Sequence, residues 1–358
     1  MKNIFMILLT LTQKVKADDA ILGFYVQWLE KMAQRVEHLQ VIALETGAYD
    51  LPPNVEVISL NKERGAGPVS MFLTFNRVLW RLCRTHKPDA ILAHMVPKYV
   101  LYALPLARLF RVPVDLWYTH KGVDKYLRMA HPFIRHAFTA SEESFRLKSR
   151  KKVIFGHGID TSFFVPPEKE ERKGIITVGR ITPSKDQEVL LKAVALLRER
   201  RPGEKLETRI IGEPLLESDE LYMQHLKELV QESSLEGCIL FEGAKPHGRM
   251  RDYYGRARIV VNASHTGSLD KVVLEAMATG AVPLTCNESF VPLLGDLTEL
   301  LFFEKKNAND LASRIDYLLD LDREAYLELG AKLRSIVCAK HDLDRLMDRM
   351  IEKMSNPT

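Results

Sequence analysis

Short apolar runs alternate with amphipathic segments along the first half of the chain. The apolar runs predict buried strands at Ile4–Leu9, Leu39–Leu44, Val55–Leu60, Ala90–His94, Val112–Tyr118, Ala137–Ala140 and Lys152–Phe155. Apolar residues at helical spacing between these runs predict helices at Ile21–Arg35, Val69–Thr85, Lys98–Phe110 and Glu142–Lys148. Strands that alternate with helices are typical of a parallel sheet with helices on both faces.

The same alternation starts again after the charged, proline-led segment Pro166–Lys173, which we interpret as the domain boundary. The strands predicted beyond it lie at Ile175–Val178, Leu206–Gly212, Ile239–Gly243, Ala257–Val261 and Val282–Thr285. A chain of 358 residues is long enough for two domains that each bury a core. The pattern therefore predicts an α/β protein with two doubly wound domains, at residues 1–165 and 166–340.

One stretch of the second half carries the clearest candidate chemistry. A polar loop, Ser264–Asp270, separates the strand at Ala257–Val261 from a helix predicted at Lys271–Ala278. The first-turn N–H groups of a helix are unpaired and favour anions, and Lys271 could add a charge. Glu275, one turn further in, could accept hydrogen bonds from sugar hydroxyls. Spacing alone leaves open that this is an ordinary α/β turn with Glu275 on a solvated helix face.

The run V-V-L-E-A-M-A-T-G-A-V-P, from Val272 to Pro283, resembles the donor-site segment of the family 4 glycosyltransferases. These are retaining enzymes of the GT-B fold, in which two glutamates stand eight positions apart. The second binds the ribose of the nucleotide and the first touches the transferred sugar. Glu275 matches the second glutamate, but the first falls on Gly267, and Gly267-Ser268-Leu269-Asp270 replaces the usual E-G-F-G.

A second segment is similar to the same family. Gly179, Arg180 and Lys185 match its G-R-x-x-x-x-K-G pattern, with Asp186 in place of the last glycine. Two cations at the end of a strand suit a leaving diphosphate, because they neutralise charge as the glycosidic bond breaks. The run F-G-H-G-I-D-T-S-F-F from Phe155 also resembles a family segment, with His157 in place of an asparagine.

The resemblance implies a GT-B architecture of two Rossmann-like domains that face each other across a cleft, with residues 341–358 forming a helix that crosses back to the first domain. It assigns catalytic roles to His120, Arg180 and Lys185. His120 follows a predicted strand and corresponds to a family histidine near the transferred sugar, whereas His94 is expected to be structural. The implied donor-binding residues are Gly23, Gly212, Glu213, Ala244, Lys245, Gly267, Ser268, Leu269, Asp270, Lys271, Val272 and Glu275.

The function implied by the resemblance is retaining transfer of a sugar from a nucleoside-diphosphate sugar to a saccharide or lipid-linked acceptor. Neither a metal ion nor another cofactor is expected. The D-x-D formed by Asp320, Leu321 and Asp322 lies between two helical patterns, so we interpret it as an interhelix turn. Two alternatives stay open: a nucleotide-sugar epimerase or hydrolase of the same fold, and a degenerate nucleotide-sugar-binding or partner subunit, suggested by Gly267.

Charge divides the chain into a basic and an acidic part. Residues 1–160 carry a net charge of +9 and the remainder −5, which suggests that the first domain meets an anionic surface or acceptor. We therefore expect a role in polysaccharide or glycolipid biosynthesis and no nucleic-acid partner. Four scattered cysteines predict neither zinc nor disulfides and favour a reducing cytoplasm. Met1–Leu11 is interpreted as a first strand rather than a signal peptide.

Two helical segments of the first domain combine apolar residues with cations. Val69–Thr85 places Arg77, Arg81 and Arg84 beside its apolar positions, and Lys98–Arg111 repeats the arrangement. Such a stripe can lie on an anionic membrane, which would make the protein a peripheral one on the inner face of the membrane. It can equally be the core face of a packed helix. The sequence leaves both interpretations open.

Overall fold

The computed structural model describes residues 4–19, 21–168, 172–265 and 267–356. The chain forms two compact units, each built around its own parallel sheet. The first unit comprises the described residues up to Asp160, the short segment Pro246–Gly248, and the chain from His341 onward. The second comprises the described residues of Thr161–Lys245 and Arg249–Lys340.

The strands fall close to the apolar runs of the sequence. They are β1 Ile4–Val15, β2 Val36–Thr46, β3 Val55–Ser59, β4 Ala90–His94, β5 Val114–Trp117, β6 Ala137–Thr139, β7 Lys152–Ile154, β8 Ile175–Val178, β9 Thr208–Ile211, β10 Ile239–Gly243, β11 Ile259–Asn262 and β12 Val282–Thr285. In the first sheet the strand order is β3-β2-β1-β4-β5-β6-β7, and in the second it is β10-β9-β8-β11-β12. All the pairs are parallel.

Helices connect the strands of both sheets. They are α1 Phe24–Ala33, α2 Pro68–Thr85, α3 Pro97–Leu109, α4 Lys125–Ala130, α5 Gln187–Arg200, α6 Glu217–Glu232, α7 Met250–Arg256, α8 Lys271–Ala278, α9 Val291–Leu294, α10 Thr298–Leu301, α11 Ala308–Asp320, α12 Arg323–Lys340 and α13 Leu343–Ser355. Among the described residues, no helix combines the length and the apolar character needed to cross a bilayer.

The first sheet is buried on both faces, because successive residues of β1 belong to different cores. Leu8 packs in the core that contains α1 and α13, whereas Leu9 packs with α2 and α3. The last helix, α13, contributes its whole apolar side to the first of these cores, through Leu343, Leu346, Met347, Met350, Ile351 and Met354. Its polar side binds the segment that follows α1, where Arg35 contacts Asp344 at 2.8 Å and Asp348 at 2.6 Å.

Each sheet reverses its strand order at one point, between β1 and β4 in the first unit and between β8 and β11 in the second. In open α/β sheets, ligands bind outside the carboxyl ends of the strands at such a switch point. The loops that follow these four strands are therefore the places where the fold itself indicates ligand sites.

The structure departs from the predicted elements in a few places. The helix predicted at Glu142–Lys148 is wrong: this segment forms turns, and the turn in which Ser141 Oγ accepts a hydrogen bond from the Ser144 amide is not continued into a helix. The first helix begins at Phe24 rather than Ile21, because the Asp19 carboxylate accepts hydrogen bonds from the Ile21 and Leu22 amides and holds a turn.

Two further differences lie at strand ends. β1 continues past Leu9 to Val15, because its polar residues are satisfied in the interior. Thr10 Oγ1, for example, lies 2.7 Å from the Tyr25 hydroxyl. The family resemblance of Leu300–Ile315 also implies a closing strand, and this strand is reduced to a single bridge between Phe302 and Thr285. The interhelix turn at residues 320–322 is confirmed, and the Asp322 carboxylate accepts a hydrogen bond from an amide in the first turn of α12.

Candidate functional site

A row of three glycines lies at the carboxyl edge of the second sheet. Gly179, Gly212 and Gly243 end β8, β9 and β10, and their φ angles are +144°, +145° and +69°. A Cβ atom on Gly212 would lie 1.9 Å from the Gly179 carbonyl oxygen, so no other residue fits there without movement of the backbone. At these three glycines the carboxyl edge of the second sheet exposes backbone rather than side chains, so a ligand can approach the backbone closely.

Lys185 joins the two loops at the switch point of the second sheet. It ends the short 3₁₀ turn Pro183–Lys185 that precedes α5. Its ammonium donates hydrogen bonds to Asp270 Oδ1 at 2.7 Å and to Ser264 Oγ at 3.2 Å, both in the loop after β11. The structure thus brings together two predicted site residues, Lys185 and Asp270, that are far apart in the sequence.

A second contact couples the same loops. His265 Nε2 lies 2.8 Å from Asp186 Oδ2, and the His265 amide donates to the Ser184 carbonyl at 3.0 Å. Asp186 has a left-handed backbone conformation, with φ +46° and ψ +51°. Aspartate tolerates this region better than most residues, and the contact with His265 helps to hold it there. The geometry at this position is therefore one that favours glycine, although the chain has aspartate.

The N-terminus of α8 faces the loop that carries Asp270. Asp270 occupies the N-cap position, but its side chain makes no capping bond to α8. The carboxylate instead binds Lys185 and accepts from Asn287 Nδ2 at 3.3 Å, and the same amide donates to the Ser268 carbonyl at 2.7 Å. Because the cap side chain is engaged elsewhere, the positive end of the helix dipole is directed at this loop, as in an anion site.

Two ionisable residues of α8 are perturbed by their surroundings. Burial lowers the pKa of Lys271 to about 7, and the nearby Glu275 carboxylate opposes this shift, although part of the Lys271 surface still meets solvent. Glu275 is only 5% exposed, and the Tyr254 hydroxyl donates to its Oε2 at 3.0 Å. Burial, and then the charge of Glu275, raise the pKa of Tyr254. Glu275 is therefore not a solvated helix residue.

Other predicted residues of the second unit lie apart from this cluster. The Arg180 side chain is exposed, and the Arg180 carbonyl accepts a hydrogen bond from Gln187 Nε2 at 2.9 Å. Glu213 is exposed at the end of β9. Lys245 pairs with Glu242 at 3.3 Å, which raises the pKa of the Lys245 ammonium. Ala244 and Val272 are half-buried, and Leu269 is buried in the loop before α8.

His120 lines a cavity at the switch point of the first sheet. The cavity has a volume of about 270 Å³ and is lined by Thr12, Gln13, Leu22, His94, Met95, Tyr118 and His120. His120 Nδ1 accepts a hydrogen bond from the Gly122 amide at 3.0 Å. A neutral imidazole in this arrangement carries its proton on Nε2, so Nε2 can act as a donor. His94 is buried and stacks on Tyr25 with 4.0 Å between ring centroids, yet it also reaches this cavity.

Gly23 has a conformational role next to this cavity. A Cβ atom there would lie 2.5 Å from the Asp19 carbonyl oxygen and 2.7 Å from that of Ala17. The glycine thus permits the tight turn that places Leu22 in the wall of the cavity. The tight turn by itself explains why glycine occupies this position.

A larger cavity of the second unit lies elsewhere. It has a volume of about 520 Å³ and is bounded by the amino ends of β8 and β9 and by α7. Neither Lys185 nor Glu275 lines it. Because ligands of open α/β sheets bind at the carboxyl edge, we place the candidate site at the Lys185–Asp270 contact rather than in this larger space.

Several polar residues that complete the site were not among the predicted donor-binding or catalytic residues. Ser264, His265 and Asn287 follow β11 and β12, and Tyr254 comes from α7. The first three come directly after predicted strands, which is a signal that sequence alone offers. Tyr254 gave no such signal, because its contact with Glu275 depends on how α7 packs against α8.

The two Rossmann-like units, each with one switch point in its parallel sheet, define a protein of the GT-B type. HepE of Anabaena, solved in complex with UDP and glucose, superposes with a TM-score of 0.76 and 16% identity over 98% of this chain and 100% of that chain. The family model "Glycosyl transferases group 1" matches residues 158–335, and "Glycosyl transferase 4-like" matches residues 18–156. The chain belongs to the group 1 glycosyltransferase family.

Curated relatives match this chain over part of their length. Mannosylfructose-phosphate synthase of Agrobacterium fabrum is 26% identical over 38% of this chain and 33% of its own. Lipopolysaccharide 1,2-N-acetylglucosaminetransferase of Salmonella typhimurium is 26% identical over 52% of this chain and 49% of its own. The matched part therefore spans half or less of these relatives, and their activities differ from one another.

Proposed function

We propose that the protein is a retaining glycosyltransferase that moves a sugar from a nucleoside-diphosphate sugar to a saccharide or lipid-linked acceptor. The observation that carries this proposal is the Lys185 ammonium held beside the N-terminus of α8 at the switch point of the second sheet. A cation and a helix terminus at one place form a site for a diphosphate.

In this proposal the diphosphate takes the place of Asp270 at Lys185. Asp270 Oδ1 lies at hydrogen-bond distance from the ammonium, where a phosphate oxygen would be bound. As the bond from the sugar to the diphosphate breaks, negative charge grows on the departing oxygen. Lys185 and the first-turn amides of α8 stabilise this charge more in the transition state than in the ground state, which is the condition for catalysis.

Glu275 is assigned to the ribose of the donor. A carboxylate can accept several hydrogen bonds, so it can bind a ribose hydroxyl while the Tyr254 hydroxyl holds its other side. His120, in the first unit, is assigned to the donor sugar or the acceptor through its Nε2–H. The orientation of the ring is fixed by the bond from the Gly122 amide.

A thermal-shift panel with UDP, GDP, ADP, CMP and their sugar conjugates tests the donor site. A ligand at about 100 times its Kd should stabilise the protein by about 2.7 kcal/mol. We expect a shift with one nucleotide and a smaller shift with the same nucleotide in the Glu275→Gln variant. If no nucleotide raises the melting temperature of the folded protein, the proposed donor site is wrong.

Turnover with the donor so identified tests the reaction itself. We expect activity to persist in EDTA, because the proposal assigns the stabilisation of the diphosphate to Lys185 and α8 rather than to a metal ion. The anomeric configuration of the product, followed by NMR at early times, should be that of the donor. An inverted product would exclude the retaining mechanism.

One observation favours a second candidate, a nucleotide-sugar-binding subunit without activity of its own. Gly267 has no side chain with which to contact the sugar, and Asp270 adds a negative charge beside the place proposed for the diphosphate. This candidate predicts a nucleotide-dependent thermal shift but neither transfer nor hydrolysis of the sugar. Product formation by the purified chain alone would exclude it.

A further inference from the structure

Helices α2 and α3 expose a row of large apolar side chains on one side of the first unit. We call this surface the α2–α3 face; it consists of Val69, Phe72, Leu73 and Trp80 from α2 and Tyr102 and Leu109 from α3. Phe72, Leu73 and Trp80 lie three, four and eleven positions after Val69, so these residues of α2 form one stripe along the helix. Val69 is 74% exposed and Leu73 is 63% exposed.

This stripe is distinct from the side of α2 that packs on the sheet. Phe75, Leu79 and Leu82 are buried in the core with β1 and β4, so α2 has already buried one apolar side. A helix that is apolar on a second, exposed side indicates an interaction surface rather than a solvent face. The sequence left a core face and a membrane face as alternatives, whereas in the structure α2 has both a buried apolar side and an exposed one.

Aromatic contacts join the two helices into a continuous surface. The Phe72 and Tyr102 rings pack edge to face with 5.4 Å between centroids, and the Trp80 and Phe110 rings pack in the same way at 5.4 Å. The apolar side chains are therefore held as a patch by the fold, and a partner does not have to order them first.

The charge on this surface has one sign. Neither α2 nor α3 contains an acidic residue, and the cations on them are Arg77, Arg81, Arg84, Lys98 and Arg108. The Arg84 guanidinium lies over the Trp80 ring, 5.9 Å from its centroid, and that of Arg108 lies 4.7 Å from the centroid of the Phe133 ring. Within the described part of the chain, the acidic contact of these arginines is an exposed pair of Arg81 with Glu56 at 3.4 Å.

We propose that the α2–α3 face docks the protein on a membrane surface that contains anionic lipids. The apolar side chains enter the boundary between headgroups and acyl chains, while the arginines and Lys98 bind the lipid phosphates. The apolar half of the surface distinguishes this partner from a simple polyanion, which would offer nothing to Val69, Leu73 or Leu109.

Charge also argues against a second copy of the chain as the occupant. In a two-fold symmetric dimer built on this face, the same arginines would meet across the interface with no acidic residue of either helix to pair with them. An anionic bilayer supplies the complementary charge. This inference does not depend on glycosyl transfer, because vesicle binding and turnover are measured separately.

The test is co-sedimentation of the full-length protein with sucrose-loaded vesicles. Vesicles of phosphatidylcholine alone are compared with vesicles that also contain phosphatidylglycerol, at low and at physiological ionic strength. We expect the protein to bind the anionic vesicles, and we expect this binding to weaken as the salt concentration rises. Replacement of Arg77, Arg81 and Arg84 by glutamine should weaken partition by about fivefold for each arginine.

The apolar contribution is tested by the double variant Phe72→Ser/Leu73→Ser, which should weaken partition by about tenfold or more. Leu221→Ser is the matched control, because Leu221 on α6 is also 74% exposed but lies near Glu217 and Glu220. Lys227→Glu on the same helix is the control for charge. Both controls should bind vesicles like the unchanged protein.

Tryptophan fluorescence locates the contact directly. Of the three tryptophans, Trp28 and Trp117 are buried and Trp80 lies on the α2–α3 face. Lipids brominated on the acyl chains should quench Trp80 in anionic vesicles, and the Trp80→Phe variant should lose this quenching while its thermal unfolding stays unchanged. The quenching of Trp80 is measured on the unchanged protein, so it remains informative if a substitution elsewhere proves destabilising.

Three results would overturn the proposal. The first is the absence of binding to anionic vesicles at low salt. The second is binding that the arginine variant loses but Phe72→Ser/Leu73→Ser retains in full, since the surface would then act as a polyanion site. The third is an oligomer in sedimentation velocity that Phe72→Ser/Leu73→Ser converts to a monomer, which would assign the face to a second copy of the chain.

Discussion

At the scale of single residues, the contact between Lys185 and Asp270 is the feature with most consequence. Both side chains are largely removed from solvent, and the pair joins the loop after β8 to the loop after β11. A cation held by a carboxylate of its own chain keeps its position until an anionic ligand displaces that carboxylate. The residue is thus ordered at the place where a diphosphate would need it.

Lys185→Met should lower turnover by about 10²-fold or more while leaving the fold intact, because charge on the leaving diphosphate would lose its ammonium partner. Lys192→Met is the control, since Lys192 lies on α5 and pairs with Glu188 in an exposed i,i+4 arrangement. Initial rates under saturating donor check the prediction. Comparable rates for the two variants would remove Lys185 from the catalytic step.

Lys271 links donor binding to pH. Its pKa of about 7 leaves many molecules with a neutral amine at neutral pH. A bound diphosphate favours the ammonium and raises this pKa, so binding takes up a proton above about pH 7. Affinity for the nucleoside diphosphate should therefore fall as pH rises from about 7, by at most about tenfold per unit, and should not depend on this group at pH values well below 7.

The proton uptake can be counted by calorimetric titration in two buffers that differ in ionisation enthalpy, with Lys271→Met as the variant that should lose it. The unliganded protein gives a second check. Because the unfolded chain binds a proton at Lys271 that the folded chain does not, this group makes the free energy of unfolding rise with pH between about 7 and 10.5. Binding that is independent of buffer and pH would contradict the assignment.

At the scale of elements, the strands and glycines of the second sheet fix the shape of its carboxyl edge. β8, β9 and β10 pair in parallel, with a shift of register between Phe241 and Gly243, and the Gly212 amide donates to the Gly243 carbonyl at 3.0 Å. The positive φ angles at these positions turn the chain sharply into the loops that follow. The geometry around Lys185 therefore depends on residues that carry no side chain.

Gly212→Ala should lower the free energy of unfolding by about 2 kcal/mol or more and weaken nucleotide binding, because its Cβ would collide with the Gly179 carbonyl oxygen. Gly237→Ala is the matched control: no atom lies within 4 Å of its Cβ position, and its φ is not positive. Urea unfolding followed by circular dichroism measures both variants. Equal free energies of unfolding for the two variants would mean that the backbone at this edge shifts to accommodate the added methyl group.

At the scale of the whole molecule, the chain returns to its first unit after completing the second. α13 fills a core with β1 and α1, and Arg35, which is almost fully buried, binds two carboxylates of α13. The first unit therefore needs segments from both ends of the described chain. Among the residues that the structure describes, the sheet of the second unit takes no strand from the first.

Removal of residues 341–358 should unfold the first unit and spare the second. All three tryptophans lie in the first unit, so the deletion should shift their emission to the red and abolish their unfolding transition. The nucleotide-dependent thermal shift, which reports on the second unit, should persist. Deletion of residues 356–358 alone is the control, and native emission from the longer deletion would show that α13 is dispensable.

The sequence by itself determined the class of fold and the place of the candidate site. Alternating apolar runs predicted the positions of the strands, because a parallel strand buried on both faces needs a continuous apolar stretch. The family resemblance pointed to Gly179–Lys185 and Gly267–Glu275. The helix predicted at residues 142–148 was wrong, because local spacing allows a first turn there but the surrounding fold decides whether it continues.

Only the tertiary structure decided which residues of these segments meet. The bond from Lys185 to Asp270, the burial of Glu275 against Tyr254 and the packing of α13 on α1 all join residues distant in sequence. The exposed apolar stripe of α2 could not be predicted from the sequence for a related reason. Helical spacing shows that an apolar residue recurs on one side, but which side the sheet covers depends on the rest of the fold.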